Sequence, residues 1–119
     1  MDNKQKKYDI EEMKNRIENT NMQIELANEK IKTYDNFQNE ISFLSKDIDD
    51  CVSLLRKSMK GDKVDLVFNN INESNSINSR RIINEVNDNI TYTKVQLNEY
   101  TKMRDNLEEE YRRENNSQN

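Results

Sequence analysis

Ile10-Glu11-Glu12-Met13-Lys14-Asn15-Arg16-Ile17-Glu18-Asn19-Thr20 sets the pattern from which the fold is read. Apolar residues step by three and four, Ile10, Met13, Ile17, and the stepping runs on through Ile24, Ile31 and Tyr34, with Thr20 and Ala27 at the intervening positions. Phe37, Ile41, Leu44, Ile48, Cys51 and Leu55 continue it. A seam with a period near 3.5 is the mark of a helix laid along a partner helix. Its one irregularity is two consecutive three-residue steps, Ile31 to Tyr34 to Phe37, which predict local overwinding. The second half repeats the seam with Ile83, Val86, Ile90, Thr93, Leu97, Tyr100, Arg104, Leu107 and Tyr111.

Between the halves stands Met59-Lys60-Gly61-Asp62, with the only glycine of the 119-residue chain. Gly61 is placed to end the first helix in a left-handed conformation. Asp62 then caps the second helix, and Asp65 lies at its positive end. The expected fold is all-α, one antiparallel two-helix hairpin with its turn at Met59–Asp62. Helix 1 covers about 8–58 and helix 2 about 63–113, and 114–119 form a frayed tail.

Composition agrees. There is no proline, so the turn chemistry of a β sandwich or barrel is missing. Charged residues make up 35% and apolar ones 32%, with a mean hydropathy of −1.21, which suits a long helical chain better than a globule. The absence of histidine removes the commonest general base and metal ligand, and one cysteine can form neither an internal disulfide nor a zinc site. An enzyme, a metal centre and a bound cofactor are not expected. A net charge of −4 and a pI near 5.0, with Lys and Arg interleaved among acids, argue against nucleic acid. No apolar run approaches a membrane span or a signal peptide. The expected location is the cytoplasm, with export open only by a route that reads a folded protein or its partner. Asparagine, about twenty by count, reads as codon bias.

Folding back at Gly61 sets residue i beside residue 122 − i. Distal pairs then match apolar to apolar, but near the turn an apolar helix 1 faces the Asn- and Ser-rich stretch 69–79. A contiguous apolar excess marks a binding surface. Phe43, Val52, Leu54, Met59, Leu66 and Phe68 are the residues expected to meet a partner's helices. Cys51 reads as a small core residue, Asp47, Asp49 and Asp50 as a solvated face, and Arg104 as a seam charge that sets register or meets a partner's carboxylate.

Met59-Lys60-Gly61, followed by Val64, Leu66 and Phe68, resembles the W-x-G turn of the WXG-type helical-hairpin proteins of bacterial type VII secretion, with Met in place of Trp. The tail departs from that family's Tyr-x-x-x-Asp/Glu export signature, because Asn115 stands four residues after Tyr111. The chain looks most like the small targeting partners of LXG-type toxins. The resemblance implies that it binds the toxin's N-terminal helical region, a second small WXG-like protein, or both, before export. Two rivals remain: a self-associating scaffold, hence a homodimer, and a holdase resembling prefoldin. The last ranks below the others because no strand-length alternating segment exists.

Overall fold

A computed structural model describes residues 3–117. They form two helices, α1 (Asn3–Ser58) and α2 (Asp62–Ser117), and no strand occurs among the described residues. The protein is an all-α antiparallel hairpin. Both helices outrun their expected bounds. Residues 114–117, expected to fray, are helical, with an exposed Arg113–Glu109 pair at 2.7 Å and Ser117 Oγ donating to the Glu114 carbonyl at 2.9 Å. The remaining tail positions, 118 and 119, lie outside the described residues.

The turn assigns its caps differently from the sequence reading. The Met59 N–H closes the last turn of α1 on the Leu55 carbonyl, 2.9 Å, and Arg56 and Lys57 lie in that turn, where cations suit the dipole. Gly61 has φ of +140°, a conformation essentially reserved for glycine, but it does not end α1. Its carbonyl accepts the Asp65 N–H at 2.9 Å, so Gly61 is the N-cap of α2. Asp62 and Asp65 both fall in the first turn of α2 and favour its positive end, but Asp62 is not the cap.

The chain divides into two compact units, Met1–Ile31 with Thr91–Asn119, and Lys32–Ile90. In the distal unit the seam is the one read from sequence: Ile10, Met13, Ile17, Thr20, Ile24, Ala27 and Ile31 from α1, and Thr93, Leu97, Tyr100, Arg104, Leu107 and Tyr111 from α2, are buried or half-buried. The most buried are small, Thr20, Ala27 and Thr93. Short side chains let two backbones approach. The Thr20 hydroxyl can be buried because it donates to the Arg16 carbonyl at 2.7 Å. Arg104 sits half-buried in the seam and meets Asp105 at 3.3 Å.

In the turn-proximal unit the α1 seam departs from the sequence reading. It runs through Tyr34, Gln38, Ile41, Ser45, Ile48, Val52 and Arg56, in unbroken three-four steps as far as Val52. The expected stammer is absent. Phe37, Leu44, Cys51 and Leu55, expected in the seam, are exposed. Each stands one residue before its seam neighbour, about 100° to one side. The facing α2 seam is Val64, Phe68, Asn72, Asn75, Ser79, Ile83, Val86 and Ile90.

Hydrogen bonds account for the choice. Asn75 Nδ2 donates to the Ser45 carbonyl (2.9 Å) and to Asp49 Oδ1 (3.1 Å), while its own Oδ1 accepts from Ser79 Oγ (3.2 Å). Gln38 Nε2 donates to the Ile83 carbonyl (3.2 Å) and to Asn87 Oδ1, and Arg56 donates to Asn69 Oδ1. These bonds hold the 122 − i register within a few residues. The Asn/Ser stretch is therefore matched to α1, through polar groups. Two buried atoms of this seam, Arg56 Nε and Asn72 Oδ1, have no hydrogen-bond partner among the described residues.

Candidate partner-binding groove

Displacing the apolar row of α1 to one side of a polar seam leaves the turn-proximal unit two-faced. On one flank, polar side chains cross between the helices: Asp49 to Asn75, Arg56 to Asn69, Gln38 to Asn87. The other flank carries a groove of about 540 Å³. Its α1 wall is Ile41, Leu44, Ser45 and Ile48. Its α2 wall runs from Val67 and Ile71 through Asn70, Ser74, Asn75, Asn78 and Ser79 to Ile82. Apolar branched residues stand at both ends of the α2 wall. The small residues of its middle make the surface concave. Leu44 is 57% exposed and Ile71 40%, a cost in water that covering would relieve.

The six residues expected to meet a partner fall into three groups. Val52, 4% exposed, and Phe68, 5%, lie inside the seam, with the Arg56 guanidinium 5.9 Å from the centre of the Phe68 ring. They are structural and cannot be the contact surface of the folded hairpin. Phe43 and Leu66 are exposed, but each stands two residues from a seam residue, about 200° around its helix, and so lies on the back. Leu54 is exposed as well and, two residues from both Val52 and Arg56, also lies on the back, while Met59 is exposed just past the end of α1. Cys51, expected in the core, is exposed on the groove side of α1 because Val52 takes the seam position.

Ile41, Leu44, Ile48, Val67, Ile71 and Ile82 are not among the six residues that the sequence reading places at the contact. The signal that finds them is the heptad itself. Carried past Tyr34 without a slip, it puts Gln38 and Ser45 in the seam and turns Leu44 out beside them.

The distal unit has a smaller cleft, about 240 Å³, lined by Asp9, Glu12, Glu110 and Glu114 with Met13, Arg16 and Leu107. Arg16 meets Glu12 at 2.9 Å. Among the described residues no group of three or more His, Cys, Asp or Glu side chains is placed to hold a metal ion, and no helix is long and apolar enough to cross a membrane.

Fold and groove define a class: an all-α helical hairpin with a one-sided apolar groove beside its turn. No protein-family model, curated protein or solved structure matches the chain.

Proposed function

We propose that the protein is a non-enzymatic binding partner. It packs on the N-terminal helical region of an LXG-type toxin and helps to target that toxin to bacterial type VII secretion. The single observation that carries the binding role is the groove between Leu44 and Ile71, an apolar surface that the hairpin leaves uncovered while its own seam is closed by hydrogen bonds. Covering it with a helix buries several branched side chains, each worth about 1.5–3 kcal/mol when fully buried, less the cost of ordering and docking. The secretion context rests on the resemblance of Met59-Lys60-Gly61 to a W-x-G turn. The partner forms its complex in the cytoplasm before export.

The test is a pull-down of the tagged protein from its native cell, with mass spectrometry of what co-purifies, run beside Leu44→Asp, Ile71→Asp and the distal controls Lys14→Ala and Glu99→Ala. A co-purifying protein with a long helical N-terminal region, lost with both groove variants and kept with both controls, is the expected result. Circular dichroism checks that each variant stays helical. A tight homodimer with nothing else attached overturns the reading in favour of a scaffold. Capture that survives both groove substitutions places the binding surface elsewhere.

A further inference from the structure

The reading above says that a helix covers the groove; the walls themselves say what kind of helix. The groove extends from Val67 to Ile82, about 22 Å of α2 at 1.5 Å per residue, so it accepts roughly four turns of a partner. Along the α1 rim, Glu40 and Asp47 flank Leu44 at four and three residues, on the same helix face. Both acids are exposed, and neither has an ion pair among the described residues. On the α2 wall, Asn70, Ser74 and Asn78 repeat every four residues and line the groove with no side-chain hydrogen bond among the described residues, whereas the adjacent Asn75 and Ser79 are engaged within the hairpin.

Resting on that reading, we infer that the occupant is a single foreign helix of about four turns. Its apolar residues sit at both ends of its contact face, an amide or hydroxyl side chain sits in the middle, and lysine or arginine lies along the flank over α1. A second copy of this chain does not fit. A concave face laid on its own copy leaves the hollow unfilled. The ridge such a copy would insert from α1 brings Glu40 and Asp47 to an acidic rim, and like charges at close range repel. The unpartnered Asn70, Ser74 and Asn78 favour a contact face with one polar position, because an all-apolar helix would strip them of water without replacing those hydrogen bonds.

The inference is tested with three fluorescein-labelled, stapled 18-residue helical peptides. All carry Leu and Ile at the ends of one face. The first has a central Asn and lysines along one flank, the second exchanges those lysines for glutamates, and the third exchanges the central Asn for Leu. Binding to the intact protein is read by fluorescence anisotropy at low and at 0.5 M salt. The lysine peptide is expected to bind about tenfold more tightly than the glutamate peptide, from two rim contacts turned from attractive to repulsive. The ratio should narrow at high salt and reverse in the Glu40→Lys/Asp47→Lys variant. The Asn peptide should also outbind the Leu peptide. Equal binding of the lysine and glutamate peptides, still abolished by Leu44→Asp, overturns the inferred chemistry while leaving a helix-binding groove. Binding of none of the peptides overturns the inference outright. Sedimentation showing a dimer that Leu44→Asp dissociates puts a second copy in the groove and overturns both the inference and the reading beneath it.

Discussion

Replacing Phe68 by Ala removes the largest buried side chain of the turn-proximal seam, and replacing Phe43 removes an equal side chain from the back of α1. Phe68 is 5% exposed and Phe43 69%, so the same chemical change probes two surroundings. Truncating a buried Phe costs about 3–5 kcal/mol in a closed core. A two-helix seam is open at its edges, so water enters the space left behind and the lower end applies, about 3 kcal/mol. The Arg56 guanidinium 5.9 Å from the ring centre adds about 0.5–1 kcal/mol that is lost with it. With a urea slope of about 1–3 kcal/mol per molar for a small protein, the combined loss in Phe68→Ala should lower the unfolding midpoint by about 1–4 M. Phe43→Ala should stay within about 0.5 kcal/mol of the parent. Far-ultraviolet circular dichroism against urea measures both. The double change with Arg56→Ala isolates the ring–guanidinium coupling as the departure from additivity. Equal losses from Phe43 and Phe68, or a larger loss from Phe43, would refute the seam described here. The same reasoning makes Phe68→Asp a poor probe of binding, because it places a charge inside the seam, whereas Leu44→Asp changes only a groove wall.

Gly61→Ala should destabilise the hairpin by about 1–3 kcal/mol through backbone strain alone, since φ is +140° and an added methyl group would meet nothing within 4 Å; an unchanged urea midpoint would count against the turn geometry. Cys51 should react with Ellman's reagent without denaturant at nearly its rate in urea, while a Val52→Cys/Cys51→Ser variant is slow; the opposite order would restore Cys51 to the seam. The hydrogen bond and charge of Arg113 hold the Glu109 carboxyl below its ordinary value, and Glu109 in turn raises Arg113. The contribution of this pair is therefore present above the ordinary carboxylate range and lost as pH falls through the lowered Glu109 value, with Arg113 charged throughout. Carbon chemical shifts of residues 109–117 should move toward coil on acidification, and Glu109→Gln should remove that transition.

The distal seam was legible because most of its positions are apolar and the period itself places the polar ones, Thr20, Thr93 and Arg104. Ile10 to Ile31 and Leu97 to Tyr111 are found by following apolar residues at that period. Between Phe37 and Leu55 the two criteria part. The apolar letters Phe37, Leu44, Cys51 and Leu55 lie one residue off the helix-facing positions Gln38, Ser45, Val52 and Arg56. Following hydrophobicity there demands a slip in the heptad that the helix does not make. Asparagine, too common to carry a signal by count, became informative only through partners: Asn69, Asn75 and Asn87 each accept or donate across to α1. Partners at such sequence distances follow from register, which a single chain read by hydrophobicity does not supply.

The polar seam and the apolar groove are two consequences of one choice. Were Phe37 and Leu44 turned into the seam, the hairpin would bury more apolar area and hold itself more tightly, but the flank beside α2 would lose its wall. Seating Gln38 and Ser45 there exchanges that burial for hydrogen bonds worth about 1 kcal/mol net apiece, together with two unsatisfied buried atoms, Arg56 Nε and Asn72 Oδ1, at about 1–3 kcal/mol each. The turn-proximal unit therefore keeps its helices in register without using up the side chains that a partner can cover. Hydrogen bonds are directional and fix which residues face each other; apolar contact is not directional and tolerates varied shapes. Placing the directional interactions inside and the non-directional ones outside gives a hairpin whose own geometry is specified while its surface remains available. On the proposed reading, a helix laid in the groove would add to the stability of this unit and so couple the folding of residues 32–90 to binding.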